Sequence, residues 1–240
     1  MSILTEKYLN MQKNAYDDMA SKWSLSHRDP VVGSYDRHNA WQDYKDYLFK
    51  NVDTKNKIAL DYGSGPGRNI ITMNDWFKQI DGCDISEVNK QKALLNTSHN
   101  GIKDFNYMVC DGESIPCKGK TYDIVFSVIC LQHICVHDVR YSIMEDIYRI
   151  LKPGGYFCWQ MGYGGKPEVP SGARPYKVCK WYDNIYDAEG TNSIYDVSIL
   201  DENEVKDDIM KIGFKSFDFD IRPTGPGDNH FNWIFMRAQK

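Results

Sequence analysis

The chain has 240 residues, 42% of them hydrophobic, and a formal net charge of −4. That length and apolar share can bury the core of one α/β domain, and the mild acidity with scattered lysines disfavours a nucleic-acid partner, whose phosphates call for a basic face. No apolar run is long enough to span a bilayer and the opening MSILTEKYLN lacks a signal peptide's apolar core, so a cytoplasmic protein with no membrane partner is expected.

Residues 5–24 carry Tyr8, Met11, Ala15 and Met19 at helical spacing. They read as a helix folded over a ligand or as one packed on a sheet edge. Residues 27–50 mix Pro, Gly, His and aromatics before a helix from about Asn39, in keeping with a mobile lid. The segment 58–70, IALDYGSGPGRNI, is the most informative. Its apolar start reads as a buried parallel strand with Asp61 at the carboxyl end, and Gly63, Gly65 and Gly67 follow in a tight loop. In an open α/β sheet, ligands bind just beyond the carboxyl ends of the strands. The spacing G-x-G-x-G departs from the dinucleotide fingerprint G-x-G-x-x-G. An acid so close to the glycines would repel a pyrophosphate but suits a ligand with an ammonium group.

Residues 79–87, QIDGCDISE, read as a second strand ending in Asp84, placed about twenty residues on, where nucleotide folds put the carboxylate for ribose hydroxyls. Residues 105–116 read as a third strand ending in Asp111, and 122–134 as a fourth with Asp123 at its start. Residues 150–161, ILKPGGYFCWQM, contain a helix end, a Pro-Gly-Gly turn and a fifth strand. The insertion 162–200 opens rich in Gly and Pro and then becomes dense in Tyr, Asp and Asn, residues suited to a hydroxyl-rich acceptor. Its alternative reading is a dimer-interface hairpin, which leaves a homodimer open. A helix over 201–212 and strands over 214–221 and 230–237 close the chain.

These segments, in this order, resemble class I S-adenosylmethionine-dependent methyltransferases, closely over residues 55–161 and in outline elsewhere. The resemblance implies a Rossmann-like three-layer α/β sandwich whose seven-stranded, mostly parallel sheet ends in an antiparallel strand. The single domain divides into a helical cap or lid (1–54), a cofactor core (55–161), an acceptor insertion (162–200) and a final helix with two strands (201–240). The implied cofactor is S-adenosylmethionine, held by Asp61, Gly63, Gly65, Gly67, Asp84, Ile85, Asp111, Gly112 and Ser127. Asp111 would bind the adenine amine and Ile85 would pack on the ring face. The Asn/Asp-Pro-Pro-Tyr/Phe motif of the family's amino-methylating branches is replaced here by Ser127-Val128-Ile129-Cys130.

The expected reaction is methyl transfer to a hydroxyl of a small-molecule acceptor, a sugar or glycan above others. A protein or RNA acceptor is the alternative, and a nucleotide-cofactor oxidoreductase the outside one. A non-catalytic binding subunit is disfavoured because Asp61, Asp84 and Asp111 are all present. An alcohol must lose its proton, and His133 and His230 are the candidate bases because both fall on the carboxyl-side rim. Asp183 or Asp187 in the insertion could serve instead. His133 and His137 stand four apart, but no third ligand and no CxxC pair accompany them, so no metal is expected and the seven cysteines read mainly as small core residues in a reducing compartment. Asp138 is placed to cap the helix that follows.

Overall fold

Short apolar strands separated by glycine turns assemble here into one twisted sheet. The structure is a computed structural model that describes residues 2–22, 43–165, 177–188, 195–224 and 230–240. Most of the expected lid and the Gly- and Pro-rich opening of the insertion lie outside these residues.

Helix α1 spans Ile3–Ser21 and is started by the Ser2 hydroxyl, which accepts the Thr5 N–H. Strand β1 (Ile58–Tyr62) leads through the glycine loop into the short helix α2 (Arg68–Thr72), and β2 (Gln79–Asp84) into α3 (Glu87–His99). Then come β3 (Tyr107–Val109), β4 (Tyr122–Val128), α4 (His137–Ile150) and β5 (Leu151–Tyr163). The insertion supplies β6 (Lys177–Cys179) and β7 (Tyr195–Ile199), and α5 (Glu202–Ile212), β8 (Ser216–Pro223) and β9 (Asn232–Gln239) follow.

The sheet has nine strands rather than the expected seven. The main body runs β3-β2-β1-β4-β5-β9-β8, with β9 antiparallel to both of its neighbours. The additional pair is β6 and β7. Strand β4 ends opposite Gln160, and β7 then takes over that edge of β5 at Gly162 and Tyr163. The insertion therefore builds its strands directly past the carboxyl end of β4, on the rim where a ligand would sit.

Both faces of the sheet are covered, which is why its central strands are apolar almost throughout. Leu60, Val125, Phe157 and Trp159 face one layer with Val139, Ile143 and Ile147 of α4, Val205 and Ile209 of α5, and Tyr8 and Leu9 of α1. Their chain neighbours Ala59, Phe126 and Cys158 face the other with Ile70, Ala93, Leu48 and Phe49. This is the three-layer sandwich.

Two local expectations are corrected. Strand β3 is only Tyr107–Val109, because Asp111 turns the chain by accepting the N–H groups of Glu113 and Ser114. Asp138 does not cap α4; Val136 occupies that position without a side-chain bond, and Asp138 Oδ1 instead accepts the Asn184 amide at 3.2 Å.

Candidate active site

The glycine loop is shaped by positive φ at Gly63, Gly65 and Gly67 (77°, 52° and 86°). At Gly63 a Cβ would lie 2.3 Å from Cys130 Sγ, so β1's loop and the turn after β4 meet only because this side chain is missing. Tyr107 donates its hydroxyl to the Gly65 carbonyl at 2.6 Å, and Asn96 donates to the Pro66 carbonyl at 3.0 Å, pinning the loop from β3 and α3. Across from it Ile129, a β-branched residue, sits at φ 61°, a strained conformation worth roughly 1–3 kcal/mol. Such strain persists where the surroundings impose it, here between β4 and Cys130.

Asp61 is fully buried beneath the loop. Its Oδ1 accepts from Asn69 at 3.3 Å, while Oδ2 has no hydrogen-bond partner among the described residues, with the Ser64 hydroxyl beside it. Burial pushes its carboxyl up to about 7. A buried carboxyl oxygen with no partner among the described residues can accept from a cationic donor. That orphaned oxygen, together with a loop into which a Cβ at Gly63 could not fit, fits the cationic methionine end of S-adenosylmethionine.

Asp84 ends β2 as expected, but it is already engaged: Oδ2 accepts Gly65 N–H at 2.9 Å and Oδ1 accepts Ser86 N–H at 2.9 Å and the Asn89 amide at 3.2 Å. Burial raises its carboxyl above the ordinary value, with those donors opposing. It organises the loop. Ile85 and Gly112 come together, since a Cβ on Gly112 would lie 3.1 Å from Ile85 Cδ1. Asp111 is exposed, and although its partial burial acts to raise its carboxyl, the Ser114 and Glu113 N–H groups hold it below the ordinary value. Ser127 is buried in β4 and donates to the Tyr62 carbonyl at 2.9 Å.

Helix α1 roofs this cleft. Leu9 packs on Gly112, with its Cδ2 2.6 Å from where a Cβ would stand. Asp17 Oδ1 accepts the Ser86 hydroxyl at 2.5 Å and the Val88 N–H at 3.3 Å. On the insertion side the Tyr8 and Tyr186 rings meet edge to face, and Gln12 donates to the Ala188 carbonyl at 2.7 Å. The helix thus packs against the loops after β2 and β3 and against the insertion.

Past the cleft, His133 and His230 share one carboxylate that the sequence reading did not single out. His133 Nδ1 lies 2.5 Å from Asp196 Oδ1, and His230 Nε2 lies 4.0 Å from Asp196 Oδ2. Gln132 joins them: its amide nitrogen is 3.4 Å from Asp196 Oδ2 and 3.5 Å from His230 Nε2, while its oxygen accepts Gly162 N–H at 3.1 Å. The His133 side chain is 28% exposed and that of His230 1%. Burial acts to lower the His133 pKa, but Asp196 outweighs it and holds the imidazole above its ordinary value. The His133 backbone N–H donates to the Cys130 carbonyl at 3.0 Å, so base candidate and loop contact belong to one turn.

The alternatives lie elsewhere. Asp183 closes a turn by accepting Lys180 N–H at 2.8 Å, and Asp187 is exposed. His137 pairs with Asp208 at 2.7 Å, an oxygen that also accepts the Trp181 indole N–H at 2.7 Å, which ties α4 to α5 and the insertion. Among the described residues no helix is long and apolar enough to cross a membrane.

Residues 60–159 match the family described as a methyltransferase domain. The chain is 23% identical over 158 residues to a malonyl-[acyl-carrier protein] O-methyltransferase of Marinomonas sp., aligning 61% of this chain with 57% of that one. It is 26% identical over 147 residues to the tRNA 5-carboxymethoxyuridine methyltransferase of Escherichia coli, covering 60% of this chain and 55% of the relative. The chain thus spans little more than half the length of these two relatives. Among solved structures, phosphoethanolamine N-methyltransferase 1 of Haemonchus contortus, held with phosphoethanolamine and S-adenosylhomocysteine, superposes with a TM-score of 0.65 at 14% identity, over 99% of this chain and 50% of that one. With the sheet order, these matches show that residues 60–159 form a methyltransferase domain and that the fold is that of class I S-adenosylmethionine-dependent methyltransferases.

Proposed function

We propose that the domain transfers a methyl group from S-adenosylmethionine to a hydroxyl of a small-molecule acceptor, a sugar or glycan above others. S-adenosylmethionine supplies a methyl carbon made electrophilic by its sulfonium, so transfer is an in-line displacement. Asp61, the glycine loop, Asp84, Ile85, Asp111 and Gly112 would hold the cofactor, and α1 would keep water from it. Positioning alone supplies roughly 7–11 kcal/mol of such a barrier. A hydroxyl acceptor also needs its proton removed, for which a placed base contributes about 10²–10⁴-fold.

The observation that carries this reading is the His133–Asp196 pair at 2.5 Å, on the rim past β4 and in the same turn that touches Gly63. A half-buried imidazole backed by a carboxylate is a proton acceptor in search of an acidic hydrogen. His230 is the second candidate, enclosed behind Gly162 and Trp233. The Tyr-rich insertion supports a flat, hydroxyl-bearing acceptor.

A tRNA acceptor is the second reading, favoured by the name of the Escherichia coli relative. The test is incubation with methyl-labelled S-adenosylmethionine and a panel of monosaccharides, nucleotide sugars and tRNA, read by mass spectrometry. A methylated sugar supports the first reading, and label only in tRNA establishes the second.

A further inference from the structure

Two histidines converging on a single buried carboxylate is an arrangement that neither packing nor solubility requires. Asp196 is 7% exposed, on β7, and its two oxygens face different partners: Oδ1 faces His133 at 2.5 Å, and Oδ2 faces Gln132 at 3.4 Å and His230 at 4.0 Å. The Gln132 amide is fixed in turn, because its oxygen takes Gly162 N–H at 3.1 Å. The carboxylate therefore cannot swing away from His133 without breaking a second set of contacts.

We propose that Asp196 is the positioning residue of the proton-accepting half of the site, setting the tautomer of His133 so that Nε2 carries the lone pair offered to the acceptor. This rests on the reading of His133 as base. A carboxylate accepts only, so the imidazole nitrogen against it, Nδ1, must bear the hydrogen. In neutral imidazole the other nitrogen is then unprotonated. The acceptor's hydroxyl proton passes to Nε2, and the imidazolium formed is balanced by the Asp196 charge.

Other groups face this centre from every side. Tyr16 of α1 lies near Asp196, and burial pushes its phenol well up, so it stays neutral. Cys135, in the turn before α4, and Cys179 of β6 lie near Asp196 and share a hydrogen bond that pushes the Cys135 thiol up as well. His230 is a further titratable neighbour, with Nε2 4.0 Å from Asp196 Oδ2.

The test is nuclear magnetic resonance of the full chain labelled in its histidine rings, with His133→Gln to assign the signal. Neutral His133 should show the Nδ1–H tautomer and a titration midpoint above the ordinary histidine value of about 6.5. Asp196→Asn should lower that midpoint by about one unit or more, and Asp196→Glu should retain most of it. His137, held by Asp208 instead, should not move. Binding of S-adenosylhomocysteine, which tests the reading of the cleft and not of Asp196, should stay within about threefold in Asp196→Asn. An Nε2–H tautomer in the native protein would overturn the proposal without recourse to any variant. So would an unchanged midpoint in Asp196→Asn.

Discussion

Asp84 Oδ2 accepts the backbone N–H of Gly65 at 2.9 Å, so the acid at the end of β2 holds the loop at the end of β1. The expected ligand contact and the loop's shape thus depend on one carboxylate. Hydrogen bonds to charged groups contribute about 1.5–3 kcal/mol each, and the freed Gly65 and Ser86 donors would be left without that partner. Asp84→Ala should therefore weaken S-adenosylhomocysteine by at least about tenfold and also destabilise the fold by about 1–3 kcal/mol. Calorimetry and urea unfolding separate the two effects. Native affinity in a folded variant would remove Asp84 from the site.

Gly63 tests the loop from the steric side. A Cβ there meets Cys130 Sγ at 2.3 Å and forces a side-chain-bearing residue to φ 77°. The conformational cost alone is roughly 1–2 kcal/mol. Gly63→Val should abolish cofactor binding, and Gly63→Ala should weaken it at least about tenfold. Trimming the opposing side chain in Gly63→Ala/Cys130→Ala should recover only part of the loss, since the φ remains. Tight binding by Gly63→Val would show that the loop is not the cradle.

The roof is testable through Asp17. Its bonds to Ser86 and Val88 fasten the C-terminal half of α1 over the cleft. Asp17→Ala should speed amide hydrogen exchange across residues 8–20, with the β4 and β5 amides unaffected. S-adenosylhomocysteine should suppress the difference if it binds beneath the helix. Equal exchange with and without ligand would place the ligand elsewhere.

The strand and glycine loop of the proposed cofactor half are legible in the sequence because their signals are local. An apolar strand, an acid and alternating glycines lie within one stretch, 58–67, and the same logic places Asp84 a strand later. The acceptor half is not. His133 and Asp196 are 63 residues apart and meet only because β7 pairs with the end of β5, a contact no periodicity announces. Asp183 and Asp187 drew attention beside aromatic residues, yet Asp183 serves a turn. Asp17 was overlooked for the same reason, since its partners lie on α3 and the turn before it. Strand β3 stops two residues short of Asp111, because that carboxylate turns the chain by accepting the Glu113 and Ser114 N–H groups, a contact the apolar pattern does not signal.

The most direct measurement is calorimetric titration of S-adenosylhomocysteine at pH 6, in two buffers of different ionisation enthalpy. Burial raises the free Asp61 carboxyl to about 7, so at pH 6 most of the free protein carries that proton. A ligand ammonium against Oδ2 favours the charged form, so binding should release close to one proton and tighten as pH rises through the free value. A carboxyl raised on folding stabilises fully below its unfolded value of about 4, and that contribution is lost as pH rises through 7. Saturable one-site binding with proton release, and no release in Asp61→Asn, is the predicted result. No binding, or binding without a change in protonation, would contradict the assignment of this cleft to the cofactor's cationic end.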